Sequence, residues 1–480
     1  MPTLRGPSAT SWAPIAAAAV PLATYLPFAV RRYGWSDDLP HLFWDGEVGR
    51  IASDARPLKA LVFHLVFSPM DDIDVLAPLR VIGILGLAFL AWTLTRWFQT
   101  WQIPSVGSAF MGATTVLLPS FQIFGGWATT FAFPWVAAGS AMAGLVWVDG
   151  HGHQRHRIPA LLVMTAGLSY YPPAAMFCWA ILAIRIVATA TPLRIAVRHA
   201  VSLGLLVLLA GASAFTIARI TVAAMNVDMG SRVGIISLPA EIAEKLAWFI
   251  THPLIIAARP FQISSPSGLE ALLTAGPVLL VIVGGLWSLS PESGFRRVYW
   301  ILLIALLVSA SFAVHLAVRD NQIEFRFMAG ITAAIWLLLY LAARQLLGAR
   351  LVAGWPVHTI CVTLVLMFAM IAARNVHDLF VRPTRTVEHF VTEKLDDYDP
   401  ALHLRIVVVN SGDWWPPKPN LGIFSTRSDL AHGWVEEPLI RTLLSEGGHP
   451  ASKIPIMIVD RPNPLPSDLV IDFRSLRGRL

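Results

Sequence analysis

The chain has 480 residues, 55% of them hydrophobic and only 14% charged, with a formal net charge of +6 and a mean hydropathy of +0.62. A soluble domain carries about 25% charged residues, so the composition argues against a soluble multidomain protein, and nothing in the charge pattern points to nucleic acid. The two cysteines, Cys178 and Cys361, lie in apolar runs and read as small core residues rather than a disulfide framework.

Repeated apolar runs of roughly 18 to 25 residues match bilayer-spanning helices. The first, 12–30, follows Arg5 as a signal peptide would. However, it is long, contains Pro14, Pro21 and Pro27, and ends in Arg31-Arg32 rather than at a small-residue cleavage site, so it reads as a retained first helix. A polar loop, 31–78, comes next. It opens with Trp35-Ser36-Asp37-Asp38-Leu39-Pro40-His41 and also holds Asp45, Glu47, Arg50, Asp54, Arg56, Lys59 and the cluster Asp71, Asp72 and Asp74. Within it, 58–67 is apolar but too short to span, which suits a helix lying at the interface. Further spans are expected at 78–98, 106–124 and 129–148, with Gly125-Gly126-Trp127 in a tight connection. At 158–187, Tyr170-Tyr171-Pro172-Pro173 divides the apolar run into two short helices, because paired prolines break a helix. Spans at 201–224, 269–289, 298–317, 327–347 and 351–373 bring the expected number to about eleven. A long amphipathic connection, 225–268, lies among them.

A cytoplasmic N-terminus would place Arg96, Arg155, Arg157, Arg194, Arg198, Arg296, Arg297, Arg344 and Arg350 on the cytoplasmic side, as the positive-inside rule expects. The loops 31–78, 225–268 and 319–326 and the tail would face outward, from what is expected to be an inner (plasma) membrane. In the tail, 403–410, 454–460 and 468–473 read as strands and 435–445 as a helix. The expected fold is therefore an all-α polytopic membrane domain, 1–375, followed by a small extramembrane α/β domain, 376–480.

Adjacent carboxylates at a membrane surface can do chemistry. One takes a proton from a hydroxyl while its neighbour orients the substrate or holds a divalent cation. The plain alternative is that Ser36-Asp37-Asp38 caps a helix. Asp71, Asp72 and Asp74 could supply a second carboxylate or a metal ligand but read rather as a solvated helix start, and the stretch 149–156 has metal-ligand residue types but reads as an ordinary basic loop. His252 and His315 have no evident partner in the sequence.

A first helix followed by a large external loop that opens on an acidic pair resembles the GT-C class of integral membrane glycosyltransferases. Within that class it looks like the bacterial type II O-antigen glucosyltransferase family. Those proteins carry Asp-Asp, then Arg, then a Gly-Arg or Gly-Arg-Pro element; this chain has Asp37-Asp38, then His41, then Ala55-Arg56-Pro57. Tyr171 stands where the family often places a Tyr-Gln pair, although Pro172 follows it here. The resemblance implies a polyprenyl-phosphate-linked sugar as donor and a hydroxyl of a cell-surface glycan or membrane lipid as acceptor. It implies Asp37 or Asp38 as general base, and Arg56, Arg319, Arg326, His41 and Tyr171 around the phosphate. Whether Asp37 and Asp38 hold a divalent cation stays open. The alternatives are a transporter or lipid flippase, or a glycan polymerase or ligase. A transporter should carry ionisable residues inside its spans, and Arg219 and His315 are nearly the only ones expected there.

Overall fold

The computed structural model describes residues 12–43, 47–70, 72–149, 154–230, 234–236, 238–263, 268–321, 323–348, 355–410, 435–459 and 464–476. Helix α1 (Trp12–Ala29) leads into three short helices, α2 (Asp38–Phe43), α3 (Val48–Ser53) and α4 (Pro57–Phe67), before the 25-residue α5 (Leu76–Thr100). Pro57 sits at the start of α4, where its missing N–H costs nothing. Helix α1 packs along α5 and against α6 (Ser105–Thr115). Helix α7 (Pro119–Gly126) is bent 62° from α6 because Pro119 cannot continue the helix and holds Leu118 extended.

Helices α8 (Phe133–Asp149) and α9 (Gln154–Tyr170) pack together. Tyr171 is extended, with φ −152° and ψ 91°, ahead of α10 (Pro172–Ala175) and α11 (Phe177–Ala188). The expected break at the paired prolines is therefore present. Helix α12 (Leu193–Met225) has 33 residues. At 1.5 Å per residue it is about 50 Å long, more than the roughly 30 Å hydrocarbon layer. It exposes Leu205, Leu208, Phe215 and Ile220, the apolar surface a lipid-facing helix presents. Helices α13 (Pro239–Thr251) and α14 (Pro253–Ala257) fill the long connection. Helix α15 (Gly268–Leu289) is followed by α16 (Gly294–Ala310), the five-residue α17 (Ala313–Ala317), α18 (Ala329–Leu347) and α19 (Trp355–Val376).

Among the described residues, seven helices are long and apolar enough to cross a membrane, or eight if the bent α6–α7 pair is one span. This is a mostly helical membrane protein, but the expected eleven spans are too many. The surplus comes from apolar runs that the chain interrupts. The run at 106–124 is broken at Pro119, and that at 158–187 is cut into α9 and α11. The run at 298–317 breaks near Phe312, leaving α16 at 17 residues. Arg80 is also an ionisable group buried within α5, which the list of Arg219 and His315 omitted.

A π-helical turn, His377–Val381, joins α19 to α20 (Arg382–Leu395). Strands β1 (Arg405–Val409), β2 (Ile456–Val459) and β3 (Asp468–Asp472) form a parallel sheet in the order β2-β1-β3, with Ile406 opposite both Ile456 and Leu469. Central β1 is an almost continuous buried run, as a parallel strand covered on both faces should be. Helix α21 (Glu436–Glu446) lies between β1 and β2 in the chain and packs against α2 and α20.

Arg32 is the main ionic fastening between this small domain and the first loop. Arg32 reaches Glu388 (2.5 Å), Glu446 (2.5 Å), Asp72 (3.1 Å) and Asp74 (3.0 Å). Ile73 N–H also donates to Glu446, and Arg441 lies over the Phe43 ring. Asp72 and Asp74 are thus used as structural contacts, while Asp71 lies outside the described residues.

Candidate functional site

The turn between α1 and α2 is built from within. Arg80 is fully buried and donates to the carbonyls of Ala29 (3.1 Å), Arg31 (2.7 Å) and Tyr33 (2.7 Å), with its guanidinium 3.9 Å from the Tyr33 ring centroid. Three backbone acceptors at the exit of α1 are thereby satisfied by one charged donor, a strong arrangement in a low-dielectric interior. Tyr33 Oη donates to Gly126 O, tying the turn to α7. Ser36 then takes a positive φ of 46° and reverses the chain into the acidic pair.

The two acids have different surroundings. Asp38 is fully buried; one carboxylate oxygen accepts Trp35 N–H (3.0 Å) and the other Thr129 N–H (2.9 Å). Burial pushes its carboxyl up to about 7, opposed by those two N–H groups and Arg80. Asp37 keeps 21% of its side chain exposed and lies 3.9 Å from Arg326. Burial alone would raise its carboxyl, but Arg326, His41, Arg50 and Lys59 together outweigh burial and hold it below the ordinary value.

The cations around Asp37 come from separate segments. Arg326 lies in the short turn Phe325–Phe327 just before α18, pairs with Glu324 at 2.5 Å and sits over the Trp127 ring at 4.8 Å. Arg56 immediately precedes α4 and lies 5.4 Å from the Tyr171 ring centroid. Tyr171 itself stacks on Phe133 at 3.6 Å. Ala55, just before Arg56, has φ 60°, in the left-handed region that favours glycine. Lys59, three residues on, is buried over Phe63 (4.5 Å) and Phe133 (5.6 Å). Burial and Arg56 push its ammonium down to about 7, against the pull of Asp37.

Tyr171 Oη, Trp127 Nε1 and His315 Nε2 are buried polar atoms that lack a hydrogen-bond partner among the described residues. All three belong to residues in contact with this cluster. His315 packs on Phe327 at 4.3 Å. Burial, Arg56, Lys245 and Arg326 push its imidazole down to about 3, so the ring is neutral. Two buried donors, Tyr171 Oη and Trp127 Nε1, three basic side chains, Arg326, Arg56 and Lys59, and the partly exposed carboxylate of Asp37 therefore gather here, a set of groups that can hold an anionic, hydroxyl-bearing ligand.

Other residues singled out from the sequence are placed differently. His41 is 1% exposed, boxed by Phe63 and Phe67 and 3.8 Å from Glu47, which also pairs with Arg50. It is therefore enclosed beneath Asp37, on which its charge acts, rather than open to a ligand. Arg319 is 62% exposed, pairs with Glu241 (3.4 Å) and donates its N–H to Gly234 O. Lys59, Trp127, Glu324 and His315 are members that sequence reasoning missed. The i, i+3 spacing of Arg56 and Lys59 across the start of α4 was the available signal for Lys59.

A divalent cation does not fit the acidic pair. Both Asp38 oxygens already accept backbone N–H groups, and Asp37 faces cations. Among the described residues no group of three or more His, Cys, Asp or Glu side chains gathers as a metal site. The chain matches no protein-family model and no curated protein.

Proposed function

We propose that the chain transfers a sugar from a polyprenyl-phosphate donor to a hydroxyl of a glycan or lipid at the outer face of the membrane, with Asp37 as general base. The observation that carries this reading is one accessible carboxylate, Asp37, set against Arg326, with Arg56 and Lys59 nearby and aromatic walls between them. Asp37 accepts the proton of the acceptor hydroxyl. The hydroxyl oxygen bonds to the anomeric carbon, and the bond from that carbon to the phosphate oxygen breaks. Polyprenyl phosphate leaves with the electron pair, stabilised by Arg326, Arg56 and Lys59. A bound phosphate competes with Asp37 for these cations, so donor binding raises the basicity of Asp37 when it is needed. Tyr171 Oη and Trp127 Nε1 are available to donate to sugar or phosphate oxygens. Asp38 holds the turn rather than the substrate. Ala55, where the GT-C pattern that this loop resembles has Gly, takes a φ of 60°, a backbone that glycine adopts most easily.

The test is transfer from a radiolabelled polyprenyl-phosphate sugar in membranes holding Asp37→Asn. Loss of a general base removes about 10²- to 10⁴-fold of rate. Full activity of Asp37→Asn in folded protein overturns the mechanism. The transporter reading receives less support, because the Arg80 donors are used on backbone carbonyls at the exit of α1.

A further inference from the structure

A cavity of about 780 Å³ lies at the far end of α5, where Trp97 and Trp101 line it together with the ends of α8 and α11. Arg80 and Trp97 are 17 positions apart on α5, about 26 Å along the axis. The cavity is therefore near the opposite end of the helix from Asp37 and takes no part in the chemistry proposed above.

Its lining changes character along α8. Met142, Leu145 and Val146 form an apolar wall, and Met142 and Val146 are open at 42% and 43% exposure. One turn further on, Asp149 closes the wall with a carboxylate. This carboxylate pairs with Arg185 Nη2 at 2.6 Å, while Arg185 Nη1 is buried with no hydrogen-bond partner among the described residues. Beside them stand the hydroxyls of Thr189 and Thr191, 2.7 Å apart, and His156 from the first turn of α9.

We infer that this cavity binds a zwitterionic phospholipid carrying a primary amine, with its acyl chains along Met142 and Val146 and its headgroup at Asp149 and Arg185. Arg185 Nη1 is a guanidinium donor without a partner among the described residues, and guanidinium donors hold phosphate; beside it Thr189 Oγ1 donates to Arg185 O (2.8 Å) and pairs with the Thr191 hydroxyl, so the two threonines hold this end of α11 in place. Asp149 keeps 55% of its side chain exposed and shares the cavity lining with the indoles of Trp97 and Trp101, and both carboxylate and indole attract an ammonium. The adjacent carboxylate disfavours a purely anionic headgroup, and the apolar wall disfavours a water-soluble phosphate. Paired tryptophans at a helix end also fit the headgroup level of a bilayer.

The test uses the full chain in lipid nanodiscs with a phosphatidylethanolamine analogue bearing a photoreactive acyl chain, followed by peptide mapping. Labelling is expected on 142–149 and 97–101 above the level on the exposed face of α12, which reports ordinary surrounding lipid. Unlabelled phosphatidylethanolamine should displace it at tenfold lower concentration than phosphatidylglycerol, and free phosphoethanolamine should not displace it. Asp149→Asn should erase the tenfold preference. Arg185→Gln and Met142→Trp should each cut labelling at 142–149 at least tenfold while α12 labelling, a check on folding, stays constant. Equal displacement by phosphatidylglycerol, displacement by free phosphoethanolamine, labelling no higher than on α12, or unchanged labelling in the variants each overturns the inference.

Discussion

Replacing Asp38 by asparagine separates the two acids by their roles. The substitution keeps size and shape but changes one acceptor oxygen into an NH₂ donor. Asp38 accepts from both Trp35 N–H and Thr129 N–H, so the amide side chain orphans one of them and points a donor at a donor. Leaving a buried donor unpaired costs about 1–3 kcal/mol. The Asp37 carboxylate accepts no backbone N–H in the contacts described; Asp37→Asn gives up the ion pair with Arg326 and should stay within about 1 kcal/mol of wild type, the range of a partly exposed ion pair. The assay is thermal unfolding in detergent, read by a thiol-reactive dye at the buried Cys178 and Cys361. Asp38→Asn is expected to expose the thiols several degrees earlier, while Asp37→Asn unfolds close to wild type but loses transfer. The pH dependence has a definite sign. With its folded pKa raised to about 7, Asp38 contributes stability that is complete below its unfolded value near 4 and is lost as pH rises to about 7. The slope is at most about 1.4 kcal/mol per pH unit for one proton, and Asp38→Asn should remove it. A variant as stable as wild type but inactive would refute this reasoning, because Asp38 would then act in the chemistry rather than in the turn.

Arg326→Gln removes the cation nearest to Asp37 and leaves burial less opposed, so the Asp37 carboxyl should titrate at higher pH. Infrared difference spectra against Asp37→Asn read this directly, and an unmoved carboxyl band would count against the pairing. Ala55→Gly should stabilise the protein by about 1 kcal/mol, since a left-handed backbone costs a non-glycine residue about that much; no gain in unfolding temperature would contradict the φ of 60°. Arg80→Met leaves three carbonyls without their donor and should cost about 3 kcal/mol or more, measured as loss of monodisperse protein on heating. Gly285→Val should part α15 from α18, because a Cβ at Gly285 would meet the backbone of Ala342; wild-type unfolding of that variant would show the helices can slide.

Much of the helical layout was legible because burying a backbone in lipid demands long apolar runs. The turn at Tyr171 and the three tail strands were legible from proline chemistry and from short β-branched runs, and they appear as β1, β2 and β3. The number of spans was not, since hydropathy averages over a run and is blind to a 62° bend at Pro119. Arg80 was hidden for a related reason: one arginine barely changes the mean of a 25-residue apolar helix. Asp37, Arg56, Tyr171 and Arg326 were individually visible as unusual residues. Their convergence depends on tertiary packing, as does the opposite fate of His41, enclosed by Phe63 and Phe67. In the sequence Lys59 is one of several ionisable residues of the polar loop, and only the fold places it, buried, over the rings of Phe63 and Phe133.

The four-carboxylate grip on Arg32 also sets an order in time. Arg32 and Glu446 are 414 positions apart, so at about 5–20 residues per second the ribosome delivers the second roughly 20–80 s after the first. During that interval α1 can insert, Arg80 can arrive, and Asp72 and Asp74 of the same loop can already pair with Arg32, but its two glutamate partners come only with α20 and α21. Docking of the tail on the first loop is thereby the last contact that Arg32 makes. A nascent chain stalled before Glu388 should leave Arg32 more reactive toward an arginine-directed reagent than it is in the finished chain, where all four carboxylates surround it.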